Sequence, residues 1–184
     1  WNTLIEEVIL KEKKGGMRRT FVDKLAKKPV PITQVSSEDA ERLPLPDQEL
    51  NRVLGGGLVP GSVTLIGGDP GIGKSTLLLQ LGLNYSAHKV LYVSGEESAN
   101  QIKMRAERIG KLHDNLLLLT DTSLERVMER LDEVEPSLVI IDSIQTMWLD
   151  TVDSAPGSVS QVRAAAHELT TFAKRKGVSI VLVG

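Results

Sequence analysis

Cysteine is missing from all 184 residues of the sequence. Disulfides and thiolate metal sites are therefore excluded from this chain, and a reducing compartment fits it. Long apolar runs are missing too. Nothing approaches the roughly 20 residues needed to cross a bilayer, and residues 1–8 lack the basic start and apolar middle of a signal peptide. A strong charge of either sign is also lacking, with 22 Lys and Arg against 24 Asp and Glu and a net charge of −2. No global positive field draws nucleic acid, so any such contact must come from a local patch or a neighbouring subunit.

What is there suits one ordinary globular domain: 41% of residues are hydrophobic and 25% charged, enough for a sizeable core. The start at Trp1, and a final run at 178–184 that reads as a buried strand without its following loop, lead us to expect an excerpt of a longer chain. Residues 1–44 show no sustained period. Between positions 11 and 28 they carry Lys11, Lys13, Lys14, Arg18, Arg19, Lys24, Lys27 and Lys28 against Glu12 and Asp23 alone, which reads as a basic linker or arm.

From residue 45 to 184 the pattern becomes strand and helix alternation. Residues 47–54 suit a short helix stopped by Gly55-Gly56-Gly57, and strands are expected at 62–66, 89–94, 116–119, 138–141 and 178–184. Helices are expected at 74–85 and 98–109. Another follows Thr122 and Glu125, which have capping-box spacing, with Leu124, Val127, Met128, Leu131 and Val134 on one face. A last helix turns Val159, Val162, Ala166, Leu169 and Phe172 to the core. Continuous apolar strands separated by amphipathic helices predict an α/β fold with a mostly parallel sheet covered on both faces.

Gly68-Asp69-Pro70-Gly71-Ile72-Gly73-Lys74-Ser75 matches G-x-x-x-x-G-K-S between a predicted strand and a predicted helix, with Thr76 next. Its glycines let successive N–H groups line a concavity at a helix N-terminus, where phosphate is favoured. Lys74 then reaches the terminal phosphates of ATP and Ser75 offers its hydroxyl to Mg²⁺. Asp142 ends the apolar run Leu138-Val139-Ile140-Ile141; on the next parallel strand it would lie beside the phosphate loop and hold Mg²⁺ through water. In Ser94-Gly95-Glu96-Glu97-Ser98, acids follow a strand at the edge where parallel sheets bind ligands. Glu96 is the preferred base for the attacking water and Glu97 the alternate, the latter also suiting a helix first turn. The loop at 146–157 is long for a strand-to-helix connection; its Trp148 could stack on a base, and Arg163 begins an exposed row with His167 and Lys174, although packing on the body is the plainer role for Trp148.

The stretches Leu45 to Gly57, Gly67 to Thr76, Tyr92-Val93-Ser94-Gly95-Glu96-Glu97-Ser98, Asp142-Ser143-Ile144-Gln145-Thr146 and Gly157 to Arg163 together resemble the bacterial RadA/Sms family of DNA-repair proteins, over nearly the whole chain. The resemblance implies a RecA-like P-loop ATPase core, truncated at its C-terminal end, from a cytoplasmic bacterial protein. It further implies a hexameric ring acting on single-stranded or branched DNA, RecA recombinase as a possible partner, and the loop after Asp142 facing the DNA channel. The family's zinc site belongs to a four-cysteine finger that would precede Trp1; a Lys-Asn-Arg-Phe-Gly motif and a Lon-protease-like domain would follow Gly184. A fragment without these is expected to bind nucleotide and to hydrolyse it weakly, since such enzymes often need a cation supplied in trans. Two other readings stay open: a KaiC-like nucleotide-switched scaffold and a P-loop kinase for a small acceptor.

Overall fold

Five apolar segments, each flanked by turn residues, form one parallel sheet in the computed structural model, which describes residues 29, 31–34 and 42–184. The expected basic arm therefore lies almost wholly outside the described residues. The chain divides into two units, Trp1–Ser37 and Glu38–Gly184, and the second carries the fold that follows.

In chain order that unit contains α1 (Gln48–Val53), β1 (Val63–Ile66), α2 (Lys74–Asn84), β2 (Val90–Ser94), α3 (Ala99–Ile109), β3 (Leu116–Thr120), α4 (Leu124–Val134), β4 (Leu138–Asp142), a 3-10 turn (Ile144–Thr146), α5 (Val159–Lys176) and β5 (Ser179–Val183). Every predicted strand and helix is present, with ends shifted by a residue or two. The strand order is β1-β5-β4-β2-β3. The expectation that Asp142 sits on the strand next to the phosphate loop is thus corrected: β5 lies between β1 and β4.

Alternate side chains of the central strands point to opposite faces, and both faces are covered. Leu91, Val93, Val139, Ile141, Ile180 and Leu182 pack under α4 and α5. Val90, Tyr92, Leu138, Ile140, Val181 and Val183 pack against α2 and α3, with Leu78, Leu79, Ile102 and Ala106. Burial on both sides is why these strands read as unbroken apolar runs. The register then decides where chemistry collects: Thr120 pairs with Ser94 and Ser94 with Asp142, so the C-terminal ends of three strands are level.

Two local expectations are corrected. The α4 cap is Ser123, whose Oγ accepts from the Arg126 N–H at 3.5 Å, rather than Thr122. Thr122 is occupied elsewhere, accepting from Trp148 through both its carbonyl and its hydroxyl. A reciprocal capping box does occur, one helix earlier, between Ser98 and Gln101. On α5 the buried face is Gln161, Ala165, Leu169, Phe172 and Ala173, and Val159 is 66% exposed. Apolar spacing misjudged this register because its first buried residue is a glutamine.

Candidate nucleotide site

The link from β1 to α2 is the glycine-rich loop. Gly73, at the cap of α2, has φ of 100°, a left-handed conformation that glycine adopts without the penalty a Cβ brings. No side chain hydrogen-bonds at this cap, and the first amides of any helix lack intrahelical partners, so the turn offers N–H donors together with the positive end of the helix dipole. The Lys74 ammonium bridges the loop, donating to the Gly68 carbonyl at 2.6 Å and the Asp69 carbonyl at 3.0 Å. Ser75, one residue on, donates its hydroxyl to Asp142 Oδ1 at 3.0 Å. The strand order and this contact agree because the glycine-rich loop starts α2 over the centre of the sheet, where Leu78 and Leu79 pack with Tyr92 and Ile140.

Asp142 is only 7% exposed. Its second oxygen accepts from the hydroxyl of Tyr92, which is fully buried, and its backbone carbonyl accepts from the Gly95 N–H at 3.1 Å. The Asp142–Ser143 peptide is cis. Ser143 donates its hydroxyl to Glu96 Oε1 at 3.0 Å. The two adjacent acids diverge: Glu96 lines the cleft, while Glu97 Oε2 lies 2.7 Å from Arg105 Nη2 on α3. That close ion pair lacks the alignment of a hydrogen bond. Gly95 is needed for space, since a Cβ there would collide with the Thr146 hydroxyl, which itself donates to the Ser143 carbonyl at 2.8 Å.

Lys74, Ser75, Glu96 and Asp142 therefore meet in one open cleft of about 510 Å³, together with Gly68, Pro70, Gly71, Gln145 and Gly184. Asp69 contributes its carbonyl to the loop, Ile72 is 65% exposed, and Thr76 lies in the first turn of α2. Ser75 and Asp142 supply hard oxygen donors 3.0 Å apart, a donor set that suits Mg²⁺ and not a soft metal. Among the described residues no group of three or more His, Cys, Asp and Glu side chains could hold another ion. A second hollow, about 370 Å³ between α3 and the edge strand β3, is lined mainly by apolar residues such as Leu79, Leu83, Ile102 and Leu116, with Lys103, His113 and Asp114 beside them.

The family model for the AAA domain matches residues 28–184. The chain belongs to the AAA-domain family. Relatives within it include "DNA repair protein RadA" of Halalkalibacterium halodurans, 50% identical over 188 residues that cover 100% of this chain and 41% of the relative. The protein of the same name from Bacillus subtilis (strain 168) is 48% identical over 188 residues, again 100% of this chain and 41% of its own. That of Escherichia coli (strain K12) is 51% identical over 154 residues, 83% of this chain and 34% of its own. The chain thus spans at most about two fifths of these relatives' length. The resemblance to RadA read from the motifs is the one the comparisons return, and the fold is the α/β P-loop fold it implied.

In this AAA-family core, the segment after Asp142 is tied to the body. Met147 and Leu149 are buried. The Trp148 N–H donates to the Thr122 carbonyl at 3.0 Å, its carbonyl accepts from Leu124 N–H at 2.9 Å, and its indole N–H donates to Thr122 Oγ1 at 3.1 Å. Trp148 and Arg163 do not line the phosphate cleft, and Arg163, His167 and Lys174 are exposed on α5.

Sequence reasoning assigned no site role to Tyr92, Ser143 or Gln161. For Tyr92 a signal existed, because a lone phenol in an apolar strand must find a hydrogen-bond partner. Gln161, 2% exposed, accepts from Leu149 N–H at 2.9 Å and donates to the carbonyls of Leu149 at 3.1 Å, Val152 at 3.0 Å and Ser154 at 3.1 Å. It pins the long loop to α5. Gln161→Leu keeps the volume but strands these backbone groups, and is expected to cost about 2–4 kcal/mol. Denaturant unfolding measures that cost, and proteolytic cleavage within 149–154 should rise in the variant.

Proposed function

We propose that this chain is the ATP-hydrolysing core of a ring-forming motor or recombination mediator, acting on single-stranded or branched DNA in bacterial recombinational repair. The observation that carries the reading is the meeting of Lys74, Ser75, Asp142 and Glu96 in one cleft at the C-terminal edge of a parallel sheet. Loop amides and Lys74 bind the β- and γ-phosphates. Ser75 and, through water, Asp142 would hold Mg²⁺, which when bound would neutralise phosphate charge. Glu96, kept in place by Ser143, takes the proton of the water that attacks the γ-phosphorus as ADP leaves.

The names of the relatives support the assignment to DNA repair. Contact with DNA falls to the segment that begins beside the cleft and to α5 after it, with the half-buried Trp148 as the stacking group and the exposed Arg163 as the charge-pairing group. A homo-oligomer, with a hexameric ring as its form in the full-length protein and RecA recombinase as a partner, supplies the cation in trans that this class often needs. A cytoplasmic location fits, and no described helix is long and apolar enough to cross a membrane.

The test is ATP hydrolysis by the full-length protein with and without single-stranded DNA. Stimulation by DNA is the expected result. Turnover indifferent to DNA would favour the scaffold or kinase readings instead.

A further inference from the structure

We propose that Tyr92 is a positioning residue for the metal-binding carboxylate: its hydroxyl holds Asp142 by one oxygen so that the other is presented to Ser75 and Mg²⁺. The inference rests on the nucleotide reading of the cleft and adds a residue outside the phosphate loop to it.

The backbone register sets up the pair. Tyr92 on β2 is level with Ile140 on β4, and Asp142 is two residues further along, so all three side chains share one face of the sheet. A tyrosine is long enough to span that diagonal step, and its hydroxyl donates to Asp142 Oδ2. Oδ1 of the same carboxylate accepts from Ser75 Oγ at 3.0 Å. The Tyr92 oxygen also lies 3.5 Å from the Ser75 carbonyl, under the first turn of α2. One phenol thus touches both residues assigned to the metal, each through an atom that would not itself be a ligand.

Packing does not account for the hydroxyl. Tyr92 is wholly buried among Leu78, Leu79, Ile102 and Ile140, where a phenylalanine would fill the same space without a polar atom to satisfy. Burial first, and then the hydrogen bond and charge of Asp142, push the phenol's pKa far above its ordinary value. A ligating carboxylate fixed in this way loses less freedom on taking up the ion, and groups that hold a metal ligand in place typically contribute about 10- to 100-fold in metal affinity.

The experiment uses the full-length protein and measures the affinity of a fluorescent ATP analogue with Mg²⁺ and with EDTA, for wild type, Tyr92→Phe, Asp142→Asn and the double variant. Tighter binding with Mg²⁺ in the wild type is the premise; its absence would remove the nucleotide reading and leave this inference without a site. Given that premise, Tyr92→Phe should bind the analogue in EDTA as the wild type does. With Mg²⁺, the half-saturating concentration of the ion should rise by roughly 10- to 100-fold. In the Asp142→Asn background the same change should have no further effect, because the hydroxyl acts through that carboxylate. A wild-type Mg²⁺ dependence in Tyr92→Phe would overturn the assignment, as would an equal loss with and without Asp142. Weakened binding in EDTA as well would mark a packing role and overturn it too.

Discussion

In the full-length protein, Glu96→Gln is expected to lower ATP turnover by about 10²- to 10⁴-fold while ATP binding stays near the wild-type level. The substitution is nearly isosteric and keeps an oxygen that can accept the Ser143 hydroxyl, now 3.0 Å from Oε1. What it removes is the capacity to take a proton from water. Geometry favours Glu96 over its neighbour because Glu97 is turned to Arg105 at 2.7 Å, and its backbone N–H is bound to Ser94 Oγ at 3.1 Å. Steady-state hydrolysis with a parallel binding titration separates the effects. Undiminished turnover in Glu96→Gln would move the base elsewhere, with Glu97→Gln the next variant to assay.

Lys74→Ala is expected to act on the other half of the cycle, weakening ATP affinity by about 10- to 100-fold, the worth of one charge-assisted hydrogen bond to phosphate. The Lys74 ammonium now rests on the carbonyls of Gly68 and Asp69, at 2.6 and 3.0 Å. To meet a γ-phosphate it must exchange these neutral acceptors for charged oxygens, and the difference between the two is what the variant forfeits. The partners it leaves are exposed to water, so the fold should lose little, and thermal unfolding without nucleotide is the control. Unchanged affinity for ATP would refute the phosphate-loop assignment. Together the variants divide binding from chemistry: one should raise the dissociation constant, the other only slow the turnover.

Much of the fold was legible because its cause is local. Segments such as 90–93 and 138–141 must be apolar throughout if both faces of the sheet are covered, and that requirement is written in consecutive residues. The helices failed only where a polar side chain took a buried place. Gln161 sits at a core position because four hydrogen bonds to the loop satisfy its amide, and no periodicity of apolar residues reports such a bargain. Thr122 and Ser123 were confused for a similar reason. Either hydroxyl can cap α4, and the choice fell to Ser123 once Trp148, 26 residues away in sequence, had engaged Thr122.

The same division holds at the site. The glycine-rich loop was legible in sequence alone: residues 68–75 are adjacent in the chain, so the glycines that permit the turn also define it. Asp142 could be singled out as a carboxylate ending an apolar strand and expected beside the loop, but its hydrogen bond from Ser75 could not be read, because β5 intervenes between β1 and β4. The sequence already preferred Glu96 to Glu97, but the divergence of their side chains, and the hold of Tyr92 on Asp142, belong to the tertiary structure. The Glu97–Arg105 pair is local to the start of α3, but Glu96 is held by Ser143, 47 residues away, and Tyr92 holds Asp142, 50 residues away, and such contacts exist only after the sheet has set its register.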